Sequence, residues 1–184
     1  QLAKIHQIAS NPKKALEDIN ELFGDLASWY NRAIVSGYSD PTQIDLKLLF
    51  YAGLDGESRD PTDEEWEQLK DQRGFHEYMD LMRLPADKMN QVLMDLFGIT
   101  LEDVDEAGFK NLVYLESTGC YYHMVTDFAC VQNFQAKDIE INANGTITVY
   151  YTADWGTKYR MTLVWHGDGY RILSNVIRPL EVLP

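Results

Sequence analysis

Two different hydrophobic periods divide the chain near residue 110. Before this point apolar residues recur every three to four positions, as on one face of an amphipathic helix. From Leu112 onward they alternate with polar residues, which is the period of a half-buried strand. The change predicts an α+β fold in which about four N-terminal helices pack on a C-terminal antiparallel β-meander of four to six strands. We therefore interpret residues 1–184 as a single domain with a helical part, 1–110, and a sheet part, 111–184.

Capping residues indicate where several of the helices begin and end. The apolar stripe after Pro12 predicts a long helix that ends near Gly37. Thr62, with a glutamate three positions later, has the spacing of a capping box and predicts the start of another helix. The segment between Pro85 and Gly98 is typical of a helix with proline at its entry and glycine at its end.

The register of the last four strands follows from their alternation and from the lengths of their turns. A slip of one residue would send the apolar set to the opposite face, so loops of three, three and two residues are favoured. The predicted opposed pairs are Ile141 with Ile147, Tyr151 with Tyr159, and Trp165 with Tyr170. One face of this meander is then apolar, and the helices are expected to cover it.

The strong negative charge restricts the classes of partner. The formal net charge is -13 and the pI is about 4.6, and residues 1–110 carry 22 acidic but only 11 basic side chains. Such a surface repels phosphate backbones, so nucleic acid and anionic membranes are not expected partners. No apolar run reaches the roughly 18 residues of a transmembrane span, and no motif predicts a cofactor.

The stretch GCYYHMVTDFAC contains two cysteines, a histidine and an aspartate within twelve positions. If the chain turns between His123 and Asp127, Cys120 lies opposite Cys130 and a disulfide can join the two strands. We favour this clipped hairpin over a pair of free thiols. A metal site built from the same four side chains is the least favoured alternative, because the cysteines lie too far apart for a zinc knuckle.

The second face of the meander is a candidate binding surface. Tyr150, Arg160 and Arg171 should point outward from it among several threonines. Such residues are good strand formers in solvent, yet tyrosine and arginine also anchor interfaces. Trp155, at a predicted hairpin tip, adds to this candidate if it is exposed.

The segment from Asp95 to Asp127 resembles a recurrent stretch in uncharacterised, exported lipoprotein-like proteins of Gram-positive gut anaerobes. The shared marks are Phe97-Gly98, Tyr114-Leu115-Glu116, Tyr121-Tyr122-His123 and Asp127, followed by a short meander. The chain departs from that pattern in lacking a glycine before Asp127 and in containing the two cysteines. The resemblance implies an exported, envelope-attached domain and is compatible with a lipid anchor upstream of Gln1, but it implies no activity.

These observations support two hypotheses. The first is a non-catalytic extracellular domain that binds a ligand or partner protein through the outer sheet face or through the turn that contains Tyr121, Tyr122, His123 and Asp127. The alternative is a pocket-containing enzyme or small-ligand binder with a cone-shaped fold similar to the nuclear transport factor 2 family. In that case His123 or His166 would act as the general base in an enclosed cavity.

Overall fold

The computed structural model describes residues 2–54, 60–72, 75, 80–125 and 130–178. The predicted α+β fold is confirmed, with helices first and a four-stranded antiparallel meander at the C-terminal end. The described α-helices are α1 Leu2–Ser10, α2 Pro12–Gly24, α3 Trp29–Ala33, α4 Leu46–Leu49, α5 Asp63–Leu69 and α6 Ala86–Phe97. The described residues also include short 3-10 helices at Pro41–Gln43, Leu101–Asp103 and Glu106–Phe109.

The described strands form two sheets. They are β1 Leu81–Pro85, β2 Val113–Leu115, β3 Cys120–Met124, β4 Gln135–Ile141, β5 Ile147–Ala153, β6 Thr157–His166 and β7 Gly169–Ile177. In the small sheet, β3 lies between β1 and β2 and pairs antiparallel with both. In the meander the strands follow chain order from β4 to β7.

The registers of the meander agree with the prediction at all three turns. Ile141 opposes Ile147, Tyr151 opposes Tyr159, and Trp165 opposes Tyr170. Glycine supplies the left-handed backbone that these turns require, with φ of 80° at Gly145 and 84° at Gly156. Leu163 opposes Ile172 in the register of the last turn, and a bulge between Thr162 and Leu163 then shifts the pairing so that Thr162 opposes Ser174.

One main core fills the space between the meander and the helices. The inward-facing residues of β5, β6 and β7 are fully or almost fully buried; among them are Ile147, Val149, Tyr151, Met161, Leu163 and Ile172. Phe23 of α2 reaches this face through Phe134, whose ring lies 5.6 Å from that of Phe23 and 4.6 Å from that of Tyr151. The helices thus cover the inner face, as the apolar alternation predicts.

The long helix predicted from Pro12 to near Gly37 is wrong, because it is divided in two. The chain turns after Gly24, where Asp25 adopts an extended backbone and its carboxylate accepts a hydrogen bond from the Ala27 N–H. Ser28 then caps α3 by accepting from the Asn31 N–H. The apolar stripe continues through the break, so its period does not reveal the break.

The boundary between a helical and a sheet part also needs correction. Strand β1 falls within residues 1–110, where only helices were predicted, and it pairs with β3 far along the chain. Together with α5 it belongs to a second, smaller cluster of buried residues: Leu69, Phe75, Leu81, Leu115, Cys120 and Tyr122.

Candidate functional site

Tyr122 is a buried structural residue rather than a surface ligand contact. Its side chain is 0% exposed, and its hydroxyl donates to Glu65 Oε1 at 2.8 Å. The same carboxylate oxygen accepts from Arg83 Nε at 3.0 Å, while Glu65 Oε2 closes the capping box of α5. Burial raises the pKa of Tyr122 to about 12, so the phenol stays protonated as a donor. The network fastens α5 to the small sheet.

The same carboxylate is stabilised in its charged form. Burial acts to raise the pKa of Glu65, but hydrogen bonds from the Thr62 N–H, the Tyr122 hydroxyl and the Arg83 guanidinium outweigh it and lower that pKa. Three donors on this buried carboxylate occupy most of its acceptor positions. This carboxylate therefore stabilises the fold.

His123 is likewise enclosed, and both of its ring nitrogens face backbone oxygens. Nδ1 lies 2.9 Å from the carbonyl of Met124 and Nε2 lies 3.4 Å from the carbonyl of Phe50. Burial lowers the pKa of His123, which keeps the imidazole neutral. A histidine in these surroundings presents no nitrogen to a substrate, whereas His166 is exposed at the end of β6.

Tyr121 and Asp127 are the remaining candidates of that turn. Tyr121 packs against Tyr114 at 4.8 Å and against Phe109 at 5.6 Å between ring centroids. Asp127 lies outside the described residues. The turn version of the binding hypothesis therefore loses Tyr122 and His123 as surface residues.

The hairpin predicted to join Cys120 to Cys130 is wrong. Both edges of β3 are occupied, and Cys120 opposes Pro85 on β1 and Leu115 on β2. Cys130 instead lines a small cavity together with Asp154 and Trp155 of the turn between β5 and β6. Both cysteines are free thiols in the structure. The pairing of β3 with β1 joins segments that are distant in sequence. The local spacing of the cysteines gives no information about such a pairing.

On the outer face of the meander, Tyr150 and Arg160 oppose each other as neighbours on β5 and β6. The Tyr150 hydroxyl donates to Glu140 at 3.0 Å, and the guanidinium of Arg178 lies 5.0 Å from the Tyr150 ring centroid. Tyr150 thus contacts an acidic group on β4 and a basic group after β7. Such cross-strand contacts are typical of a solvated strand face.

Arg171 and Trp155 lie apart from that surface pair. Arg171 packs against Gly98 at the end of α6, where a Cβ on the glycine would come within 3.0 Å of the guanidinium. The positive charge is favourable at a helix C-terminus. Trp155 is fully exposed at the tip between β5 and β6, with φ of 65°. The three outer-face candidates and the tip thus form no single site.

A concave site is found elsewhere, at the end of the meander. An open cleft of about 470 Å³ lies between α1, α2 and the turn that joins β6 to β7. We call it the acidic cleft. Three aromatic rings contribute to its wall, those of Tyr30, Trp165 and Tyr170.

Backbone hydrogen bonds hold the aromatic wall in place. The Tyr30 hydroxyl donates to the Tyr170 carbonyl and accepts from the Tyr170 N–H, both at 3.0 Å. Gly169 makes this approach possible, because a Cβ there would lie 2.5 Å from the Tyr30 hydroxyl oxygen. Trp165 stands perpendicular to the Tyr170 ring at 5.0 Å between centroids. The wall is therefore formed before any ligand arrives.

The charged lining of the acidic cleft is mostly negative. The described lining has four carboxylates and one ammonium group: Asp18, Glu21, Asp25, Asp168 and Lys4. Burial, followed by the nearby charge of Asp18, raises the pKa of Tyr170 to about 12. The excess of carboxylates in the lining disfavours a further negative charge.

The sequence contains two signals for this cleft. Asp18, Glu21 and Asp25 recur at helical spacing, which places three acids on one side of α2 and its end. Trp165 and Tyr170 are a predicted cross-strand pair. Only the fold shows that this helix face and this pair lie together.

No group of three or more potential metal-binding side chains was found within the described ranges. None of the helices in the described part of the chain has the length and apolar character to cross a membrane. No family model, no curated protein and no solved structure matches the chain.

Proposed function

We propose that this protein is a non-catalytic binding domain and that its ligand occupies the acidic cleft. The observation that carries the proposal is the preformed aromatic wall, in which Tyr30 is fixed to the backbone of Tyr170 across Gly169. A pocket with rigid aromatic surface and a few converging polar groups is the usual form of a small-molecule site.

The surroundings of the histidines support a binding rather than a catalytic role. His123 has both nitrogens directed at carbonyl oxygens, and it lies away from the acidic cleft on the small sheet. The cleft itself offers carboxylates, phenols and an indole but no histidine or cysteine in its described lining. These groups are suited to hold a ligand by charge and by aromatic surface.

The proposal includes an extracellular or envelope-attached location. Its support is the resemblance of residues 95–127 to exported lipoprotein-like proteins, since the expected cysteine pairing no longer contributes. Fractionation of cells that produce the native protein, with immunodetection in cytosol, membrane and medium, tests this part. Recovery in the cytosol alone would contradict it.

Ligand-observed NMR with a chemically mixed fragment library tests the binding site. The library contains amines, carboxylates, sugars and amino acids. We expect some fragments to bind the unaltered protein and the Trp155→Leu variant but not the Trp165→Leu variant. Trp155→Leu is the matched control, because it removes the exposed tryptophan at the hairpin tip. An absence of bound fragments, or binding that survives in Trp165→Leu, would overturn the proposal.

A further inference from the structure

We propose that the acidic cleft binds the ammonium group of an organic cation, and that Lys4 of α1 occupies this position as an internal competitor. This inference rests on the proposed function, because it names the ligand class of the same cleft. It begins from a cation that the structure already places there.

The Lys4 ammonium lies over the face of Trp165, with Nζ 4.5 Å from the ring centroid. The negative face of an indole attracts cations more strongly than that of phenylalanine or tyrosine. The ring is held by its perpendicular contact with Tyr170, so its face stays directed at the ammonium. The chain itself therefore shows which chemical group this surface accepts.

The charges around Trp165 favour a cation over an anion or a neutral ligand. Lys4 is outnumbered by four carboxylates in the cleft lining. Asp18 forms an ion pair with Lys14 one turn earlier on α2, and Asp25 accepts a hydrogen bond from the Ala27 N–H. A second cation would be attracted by the remaining negative charge, whereas a carboxylate or phosphate would be repelled. A neutral ligand would gain only the apolar part of the contact.

Lys4 is suited to leave the ring when a ligand competes. Ile8 is the one buried residue of α1, and the lysine side chain has a flexible four-carbon stem. Lys4 also lines an adjoining cleft of about 220 Å³ together with Asp18 and Tyr170. The Lys4 ammonium can therefore move from the acidic cleft into the adjoining cleft and still lie near Asp18.

Titration with choline and with its uncharged isostere 3,3-dimethyl-1-butanol tests the ligand class. Binding is followed by calorimetry at low ionic strength with the whole chain. We expect saturable binding of choline, at least tenfold tighter than that of the isostere, and its loss in Trp165→Leu. Parallel titration with N-acetyl-lysine N-methylamide compares a primary ammonium with the quaternary ammonium of choline, and tenfold tighter binding of either cation than of the isostere supports the proposed ligand class.

Two substitutions test the competitor. Lys4→Met keeps the aliphatic stem but removes the charge, and it should raise choline affinity about two- to fivefold, the range expected for loss of an exposed cation–π contact. Lys4→Arg retains a cation and should bind choline as the unaltered protein does. Equal choline affinities of the Lys4→Met and Lys4→Arg variants would overturn the proposal that Lys4 competes with the ligand.

The ligand class and the proposed function fail in different ways. If the isostere binds as tightly as choline, and both are lost in Trp165→Leu, the cation proposal is wrong while the cleft remains a binding site. If choline does not bind but other library fragments do so at Trp165, the cation proposal again fails alone. If neither choline nor any library fragment binds, both the cation proposal and the proposed function are wrong.

Discussion

Buried asparagines join chain segments that the apolar core does not by itself position. Asn175 accepts from the Tyr151 hydroxyl at 2.6 Å and donates to the carbonyls of Ile34 and Ser36. Its backbone also pairs with Tyr38, which adds a short bridge to the edge of β7. One fully buried amide thus fixes the connection after α3 to the inner face of the meander.

Replacement of this amide should be costly. Asn175→Ala leaves two carbonyls and one hydroxyl without a buried partner, so we expect a loss of about 2–4 kcal/mol in the free energy of unfolding. Asn144→Ala, in the exposed turn between β4 and β5, is the matched control and should cost less than about 1 kcal/mol. Urea denaturation measures both. Equal and small effects would show that the amide network does not stabilise the fold.

The enclosed imidazole of His123 should make stability depend on pH. Burial lowers the pKa of His123 in the folded protein, whereas the unfolded chain takes up a proton near the ordinary value of 6.5. The contribution of the neutral ring is therefore present above about pH 6.5 and is lost as the pH falls through the lower, folded value.

We expect the free energy of unfolding to fall between pH 7 and pH 5 by at most about 1.4 kcal/mol per pH unit from this group. An NMR titration of the His123 ring protons checks the cause directly, and the exposed His166 serves as the reference in the same spectrum. Protonation of His123 at or above pH 6.5 would contradict the buried, neutral assignment.

At the scale of elements, the predicted features are those decided by neighbours in sequence. Tyr151 opposes Tyr159 because a short turn and a strict alternation leave one register that buries the apolar set. The capping box at Thr62 and the left-handed Gly98 likewise depend on residues within a few positions. Such signals can be read without knowledge of the rest of the chain.

The small sheet could not be predicted because its pairing joins distant segments. Leu81 opposes Met124, and no alternation in the short strand β1 indicates this partner. The predicted hairpin of Cys120 and Cys130 used local spacing in a region where long-range pairing decides the structure. The acidic cleft was missed for the same reason, since Asp18 and Trp165 meet only in the folded chain.

Gly169 provides an element-scale test of the aromatic wall. In Gly169→Ala the new methyl group must displace the Tyr30 hydroxyl, which would break its two hydrogen bonds to β7. We expect a loss of about 1–3 kcal/mol in the free energy of unfolding and weaker binding in the cleft. Gly24→Ala, with open space around its Cβ position, is the control and should change both by little. Unchanged stability and binding in Gly169→Ala would refute the clamp.

At the scale of the whole molecule, some of the acidic residues in the first part of the chain gather at one site, the acidic cleft. Three of the cleft carboxylates belong to α2 or its end, while the aromatic wall comes mainly from β6 and β7. The helical part thus supplies charge and the sheet supplies a rigid surface. A site of this kind exists only when the two parts pack together.

The most direct test uses the indole N–H signals of the four tryptophans in a ¹⁵N-labelled protein. Single substitutions assign each signal, and choline is then added to the unaltered chain. The account predicts a saturable shift of the Trp165 signal, with the signal of the exposed Trp155 unchanged. A shift at Trp155 without one at Trp165, or no shift at all, would contradict the assignment of the acidic cleft as an organic-cation site.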